Sequence, residues 1–140
     1  MILLDTNVLS ALMHTSPDPV VLRWLDQQPA ESIWTTSVTV FEVRMGLALM
    51  PDGRRQRTLM ALFEQLLAED LEHRVLDFDS AAATQAAALA ARRQRAGRPV
   101  DMRDTQIAGI ALARHAAVAT RNVRHFGDLE VPVLHPWSGV

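Results

Sequence analysis

The sequence predicts an α/β fold in which helices flank a central, mostly parallel β-sheet in three layers. Three observations support this fold class. Short apolar segments alternate with longer segments of helical periodicity along all 140 residues. The short segments are apolar at nearly every position, which is typical of parallel strands covered on both faces. Proline and glycine separate the segments, as expected for the elements of a layered domain.

The individual elements follow from these patterns. Strands are predicted where apolar and β-branched residues run together, at residues 2–4, 33–36, 75–78 and 117–120, with an edge strand at 131–134. Helices are predicted where apolar residues recur every three or four positions, at residues 7–14, from 20 to the stop at Pro29, and at 38–49, 54–70, 80–96 and 102–115. The length and the lack of a linker indicate one domain spanning residues 1–140.

Composition narrows the classes of protein. The chain is 49% hydrophobic and 21% charged, which is ordinary for a globular domain. It has no apolar run of transmembrane length and no basic segment before its first apolar run, so we expect neither a membrane protein nor a signal peptide. The lack of cysteine excludes disulfides, thiolate metal sites and a cysteine nucleophile, and it is compatible with a cytoplasmic location. A net charge of −2 is unlike that of a general nucleic-acid binder.

Arginine is the only strongly basic residue type, because the chain has no lysine. One cluster either binds phosphate or forms a solvated helix face, and it consists of Arg92, Arg93, Arg95, Arg98 and Arg103. The five histidines share no metal-ligand spacing, so we do not predict a catalytic histidine. The three tryptophans are expected to anchor the core or an interface rather than to stack on bases.

Asp5 directly follows the first apolar strand, in the opening segment MILLDTNVLSAL. Ligands of open parallel sheets bind beyond the carboxyl ends of the strands, so this position suits a functional acid. An aspartate here is equally suited to cap the helix that follows. Both interpretations stay open at this point.

Glu42 lies on an apolar helical stripe with Val38, Met45 and Leu49. Burying an unpartnered carboxylate is costly, so an inward-facing Glu42 requires a partner. The alternative is a capping box, because Thr39 precedes Glu42 by three positions.

Asp104 shares a helical face with apolar residues in the predicted helix 102–115. Its alternative role is structural, because Asp101 is placed to cap this helix and acids in a first turn suit the helix dipole. The junction after the strand at 117–120 carries no acid but the polar residues Thr120, Arg121 and Asn122. Asn122 offers a carbonyl ligand or a hydrogen bond without charge.

These polar residues recur at junctions that lie along one edge of the predicted sheet. Carboxylates that converge repel one another unless a cation neutralises them. Oxygen ligands favour Mg²⁺ or Mn²⁺ over zinc. The pattern therefore predicts metal-assisted hydrolysis of a phosphodiester.

The chain resembles the PIN-domain nucleases, specifically the toxin ribonucleases of bacterial VapBC and FitAB toxin–antitoxin pairs. The resemblance covers essentially the whole chain and is carried by MILLDTNVLSAL, TTSVTVFEVRMGL, VDMRDTQIAGIALARHAAVATRNVRHF and VPVLHPW. It implies a PIN fold and an Mg²⁺-dependent endoribonuclease. It also implies a homodimer silenced by a small antitoxin, with DNA contacted only through that antitoxin.

Carried over residue by residue, the first three acids of the family fall on Asp5, Glu42 and Asp104. The resemblance implies that Asp5 and Asp104 bind the metal directly, and that Glu42 binds it through water or orients the attacking water. The fourth acidic position falls on Asn122, which weakens the case for two tightly held metals. The residues assigned to positioning substrate or water are Asn7, Thr120 and Arg121.

Two other interpretations remain at this stage. The departure at Asn122 keeps open a weakly active or inactive PIN module that acts mainly as the partner of its antitoxin in operator binding. The acidic site alone also does not exclude a nuclease directed at DNA.

Overall fold

The computed structural model describes residues 1–138. Within them the strands are Ile2–Leu4 (β1), Ile33–Thr36 (β2), Val75–Leu76 (β3), Ala117–Ala119 (β4) and Val133–Leu134 (β5). The α-helices are Thr6–Leu12 (α1), Pro19–Asp26 (α2), Ser37–Leu49 (α3), Arg54–Gln65 (α4), Ser80–Arg95 (α5) and Met102–Arg114 (α6). Short 3₁₀ turns occupy Ala30–Ser32, Val123–Phe126 and Pro136–Ser138, and a π turn occupies Leu66–Asp70.

The five strands form one parallel sheet in the order β3-β2-β1-β4-β5. In the centre, Leu3 of β1 is in register with Trp34 of β2 on one side and Val118 of β4 on the other. The predicted parallel α/β fold is therefore confirmed. Because β1 lies in the middle, the segment that follows it emerges at the centre of the carboxyl edge of the sheet.

Helices cover both faces of the sheet, which gives the predicted three layers. Leu3 and Leu4 are consecutive in β1 and point to opposite faces. Leu4 packs in a cluster drawn mainly from α1, α2, α3 and α4, whereas Leu3 packs in a cluster drawn mainly from α5 and α6. The apolar character of β1 at every position thus reflects burial on both sides.

Helices α5 and α6 approach each other closely at Gly109. A Cβ atom placed on Gly109 would lie 2.5 Å from the carbonyl oxygen of Ala82 and 2.7 Å from Cβ of Ala86. Only glycine fits at this contact, and the alanine-rich surface of α5 provides the matching shallow face. This packing holds α6 against the sheet and so fixes where its first turn, with Asp104, projects.

The predicted strands and helices are confirmed, and most of their ends lie within two residues of the predicted ones. Two strand ends that differ by two residues have an identifiable cause. The strand predicted at 75–78 ends at Leu76, because the N–H of Phe78 donates to Oγ of Ser37 at 3.1 Å instead of to the sheet. The strand predicted at 131–134 begins at Val133, since Pro132 has no N–H to donate. The helix predicted at 54–70 ends as an α-helix at Gln65 and continues as the π turn.

No helix within residues 1–138 combines the length and the apolar character that a membrane crossing requires.

Candidate active site at the carboxyl edge of the sheet

An open cavity of about 730 Å³ lies at the carboxyl edge of the sheet. Six of the residues predicted from sequence line it, namely Asp5, Asn7, Glu42, Asp104, Arg121 and Asn122. The seventh, Thr120, is buried behind the cavity wall. The fold thus gathers residues from the ends of β1 and β4 and from the helices α3 and α6 around one space.

Asp5 is buried at the junction of β1 and α1, with 5% of its surface exposed. It caps α1, because its Oδ1 accepts a hydrogen bond from the N–H of Thr6 at 2.8 Å. Its Oδ2 accepts a hydrogen bond from the hydroxyl of Thr120 at 2.8 Å. Burial raises the pKa of Asp5, and the charge on Asp104 adds to this, while the two hydrogen bonds oppose it. Asp5 therefore both caps α1 and lines the cavity.

The hydroxyl of Thr120 connects three other residues of the site. It donates to Asp5 and accepts from the backbone N–H of Asn122 at 3.0 Å and from Nδ2 of Asn7 at 3.5 Å. Oδ1 of Asn7 in turn accepts from the backbone N–H of Arg121 at 3.0 Å. One donor and both lone pairs of Thr120 are used, so the chain after β4 is tied to the start of α1.

The capping-box alternative for Glu42 is wrong. Helix α3 starts earlier than the box requires, and its N-cap is Thr36, whose Oγ1 accepts from the N–H of Thr39 at 3.1 Å. Thr39 is therefore inside the helix, and Glu42 is free to face the cavity.

The carboxylate of Glu42 is half-buried and has two polar neighbours. The hydroxyl of Thr6 donates to Oε1 at 3.2 Å, and Nη1 of Arg103 lies 3.5 Å from Oε2. Burial raises the pKa of Glu42, the two neighbours oppose this, and the charges on Asp5 and Asp104 raise it further. The three carboxylates are thus close enough to repel one another.

Asp104 is in the first turn of α6, and Asp101 caps this helix as predicted, accepting from the N–H of Asp104 at 3.0 Å. With the cap supplied by Asp101, the side chain of Asp104 is available to the cavity. Its Oδ2 lies 2.6 Å from Nδ1 of His125. Burial and the charge on Asp101 raise the pKa of Asp104, and the contact with His125 opposes this rise.

His125 is held in place by Arg93, which is buried in the last turn of α5. Nη2 of Arg93 donates to the carbonyl oxygen of His125 at 2.8 Å. The same guanidinium binds both carboxylate oxygens of Asp128, at 2.9 and 2.8 Å, and donates to Oγ1 of Thr105 at 3.3 Å. The hydrogen bonds from Arg93 lower the pKa of Asp128. These hydrogen bonds of the Arg93 guanidinium hold the 3₁₀ turn that carries His125 against α5 and α6.

The arginine cluster predicted from sequence does not act as one unit. Arg98 binds Asp128 at 3.1 Å and Arg103 approaches Glu42, whereas Arg92 and Arg95 are exposed. The five arginines therefore form neither one phosphate-binding site nor one solvated helix face. Arg93 in particular is a buried structural residue.

Sequence reasoning missed the position of two residues at or beside the cavity. His125 contacts Asp104, although we predicted no functional histidine. Trp137 lines the cavity as well as packing against the core, and its Nε1 donates to Oδ2 of Asp18 at 3.1 Å. As predicted, the tryptophans contribute to the core, since Trp24 is buried in it and Trp34 and Trp137 pack against it while partly buried. The one available signal was that His125 follows β4 closely, since residues beyond strand ends converge at this edge.

The donor set at this site fits a hard divalent cation. Asp5 and Asp104 face one cavity with raised pKa values, so a cation between them would relieve their repulsion. Within residues 1–138, no three Asp, Glu or His side chains are gathered closely enough to ligate one ion. Mg²⁺ is commonly held by one or two carboxylates and keeps several waters, so two acids and water satisfy it.

The fold and the site together define a class of protein, an α/β domain whose parallel sheet carries an acidic, oxygen-rich cavity at its carboxyl edge. Residues 2–130 match the model of the PIN domain family. The chain therefore belongs to the PIN-domain family.

Similar proteins extend along the whole chain. The plasmid stability protein StbB of Pseudomonas syringae pv. tomato is 42% identical over 99% of this chain and 99% of its own length. The VapC ribonuclease Y4jK of Sinorhizobium fredii is 38% identical over the same shares. A solved structure of FitAB bound to the IR36 DNA fragment superposes with a TM-score of 0.87, at 34% identity, and covers 98% of this chain and 96% of that chain.

Proposed function

We propose that this protein is an Mg²⁺-dependent endoribonuclease toxin of a type II toxin–antitoxin pair. The observation that carries the proposal is the convergence of Asp5, Glu42 and Asp104 on one cavity in a PIN-domain chain. The relative named as a VapC ribonuclease supports RNA as the substrate. The acids suit phosphodiester hydrolysis because they can hold a cation next to a polyanion that they would otherwise repel.

The metal-binding residues that we propose are Asp5 and Asp104. The chemistry that a bound divalent cation supplies is activation of water and neutralisation of charge on the phosphate. Mg²⁺ is the proposed ion and Mn²⁺ its alternative, because all donors are oxygen atoms. The hydrogen bonds from Thr6 and Thr120 hold the carboxylate of Asp5 in one orientation.

The remaining residues of the site hold water and substrate in this proposal. Glu42 orients the attacking water and accepts its proton, since burial and neighbouring charges raise the pKa of this carboxyl and make it a better base. Asn122 binds a phosphate oxygen or a water through its amide. Asn7 and Thr120 fix the backbone of residues 121 and 122 relative to Asp5.

Cleavage assays on the protein expressed alone test this function. RNA and DNA are incubated with the wild-type protein in Mg²⁺, in Mn²⁺ or in EDTA, and with Asp5→Asn. Asp52→Asn is the matched control, because Asp52 is exposed in the turn between α3 and α4. We expect Mg²⁺-dependent cutting of RNA by the wild type and the control, and none by Asp5→Asn, which should remain folded by circular dichroism.

Each other outcome of this assay points to a different function. Full activity of Asp5→Asn contradicts the assignment of the metal site. Cleavage of DNA alone identifies a DNA-directed nuclease. No cleavage of either nucleic acid by the wild type favours a binding module that acts with its antitoxin at the operator. The uncharged Asn122 at the fourth acidic position is compatible with such a module.

We further propose that a small antitoxin silences the protein in the cytoplasm and supplies its contact with DNA. The solved FitAB structure bound to DNA supports this for a protein of the same fold at 34% identity. Co-expression with the product of the neighbouring reading frame should yield a stable complex that no longer cuts RNA. Operator DNA should bind this complex and not the protein alone.

A homodimer is the proposed assembly. One supporting feature is an exposed apolar stripe on α3, formed by Phe41, Met45 and Leu49 with exposed fractions of 57%, 37% and 78%. Residues at this spacing share one helix face, and exposed apolar patches commonly mark interfaces. We expect light scattering to give twice the chain mass of 15.5 kDa, and Phe41→Ser with Leu49→Ser to reduce it to one chain.

A further inference from the structure

The side chains of Arg121 and Trp137 stack on each other at the cavity wall. Cζ of Arg121 lies 4.6 Å from the centre of the Trp137 ring. Both residues line the same cavity as Asp5, Glu42 and Asp104. A guanidinium placed on an aromatic face keeps its N–H groups pointing outward in its own plane, available to a ligand.

The guanidinium of Arg121 is charged and available to a ligand. Across residues 1–138, its guanidinium makes no hydrogen bond and no ion pair within 4 Å, although its charge is felt at Asp18. It is also the one arginine among the residues that line a cavity containing four carboxylates, those of Asp5, Asp18, Glu42 and Asp104. A polyanion entering this cavity meets mostly negative charge, and Arg121 is the cation placed to attract it.

The stack is built rigidly on both sides. The backbone of Arg121 is tied through Asn7 and Thr120 to the hydrogen-bond network of Asp5. The Trp137 ring is held by its hydrogen bond to Asp18, and His135 packs edge-on against it with ring centres 5.8 Å apart. The guanidinium is therefore held in a fixed relation to the acidic site, as a specific contact requires.

We propose that Arg121 binds a backbone phosphate of the RNA next to the one that is cut, and that Trp137 positions the guanidinium for this contact. This inference rests on the proposed nuclease function and adds a substrate subsite to it. The planar fork of arginine matches the oxygen atoms of a phosphate, and the Trp137 face limits the orientations that the fork can take. Trp137 is in this view a positioning residue that does not itself contact RNA.

Binding measurements test the subsite separately from cleavage. A fluorescein-labelled single-stranded RNA is titrated by anisotropy with Asp5→Asn protein, alone and combined with Arg121→Gln, Arg121→Lys, Trp137→Leu or Trp137→Phe, and with Arg121→Gln and Trp137→Leu together. Arg114→Gln is the matched control, because this exposed arginine lies at the opposite end of α6 from Asp104. Thermal unfolding of every variant checks that it is folded.

We expect Arg121→Gln to weaken RNA binding about tenfold or more and to reduce the slope of log K against log salt by about 0.7, the value for one lost phosphate contact on a single strand. Arg121→Lys and Trp137→Phe should bind with intermediate affinity, and Arg114→Gln should match the parent. Trp137→Leu should weaken binding, but adding it to Arg121→Gln should cause no further loss, since Trp137 acts through Arg121.

In proteins with Asp5 intact, Arg121→Gln should raise KM for RNA and change kcat little. Equal affinity and salt slope for Arg121→Gln and Arg114→Gln would overturn the subsite, even if the wild type cuts RNA. Additive losses from Arg121→Gln and Trp137→Leu would overturn the positioning role of Trp137. Failure of the wild type to cut RNA would instead contradict the proposed function, and the binding comparison would still be measurable.

Discussion

Nδ1 of His125 lies 2.6 Å from Oδ2 of Asp104, and within residues 1–138 the other carboxylate oxygen of Asp104 has no hydrogen-bond partner. The backbone that carries the imidazole is held in place, because buried Arg93 donates to the carbonyl oxygen of His125 at 2.8 Å. Contacts of this kind commonly orient the carboxylate ligands of metal sites. We infer that His125 sets the orientation in which Asp104 presents its free oxygen to the cavity.

Replacing His125 with alanine should therefore weaken metal binding. We expect His125→Ala to raise the Mg²⁺ concentration for half-maximal RNA cleavage about tenfold or more, and isothermal titration with Mg²⁺ should give the same loss. The control is His115→Asn at the other end of α6, where His115 adopts a left-handed conformation with φ 52° that asparagine tolerates. An unchanged Mg²⁺ requirement in His125→Ala would refute the orienting role.

Thr120 should contribute to stability as well as to the site, because its hydroxyl serves Asp5, Asn7 and Asn122 while fully buried. Valine has nearly the same shape but leaves these polar groups without a partner, so we expect Thr120→Val to lower the free energy of unfolding by about 1–3 kcal/mol. Urea denaturation measures this loss. Thr120→Ser keeps the hydroxyl and should cost less, and a Thr120→Val variant as stable as the wild type would contradict the contribution of the hydrogen bonds.

Much of the fold could be predicted because local pattern and tertiary environment agree. The apolar run at residues 2–4 is covered on both faces, and Asp101 caps α6 where the sequence placed a cap. The predicted element ends were wrong where contacts with residues distant in sequence decide them. Nothing near residue 78 in sequence indicates that its N–H would bond to Ser37 rather than continue the strand.

The site was predictable to the extent that strand ends mark it. Asp5 follows β1 directly and Asn122 lies in the short segment after β4, and the parallel arrangement brings such positions to one edge. Trp137 could not be placed this way, since its partner Asp18 is 119 residues away along the chain. The role of Arg93 was also hidden, because an arginine in a basic run resembles a solvated residue until Asp128 folds back onto it.

The pair formed by Arg93 and Asp128 should make stability depend on pH. The pKa of Asp128 is lowered in the folded protein by hydrogen bonds from Arg93, so folding favours the charged carboxylate. Its stabilising contribution should be fully present above the unfolded pKa of about 3.9, and should be lost as the pH falls through the lower folded value.

Asp128→Asn should accordingly be less stable than the wild type at pH 7 and pH 5, and the difference should shrink below about pH 4. Urea denaturation at each pH gives the two free energies of unfolding. Exposed Asp52→Asn is the control and should follow the wild type. A difference between Asp128→Asn and the wild type that does not change with pH would contradict a charge-dependent role.

Replacing either of two helical glycines, Gly109 and Gly46, with alanine should change the stability of the protein in opposite directions. At Gly109 the new methyl group would meet the backbone of α5, since Cβ would lie 2.5 Å from the carbonyl oxygen of Ala82, and overpacking of this kind costs about 1–3 kcal/mol. At Gly46 in α3 none of residues 1–138 beyond the helix itself comes within 4 Å of the new Cβ, and alanine should stabilise the helix by about 0.5–1 kcal/mol. Thermal and urea unfolding of both variants measure the contrast. If Gly109→Ala does not change the free energy of unfolding, α5 and α6 can move apart without cost. The position of Asp104 would then have to be fixed by something other than this helix contact.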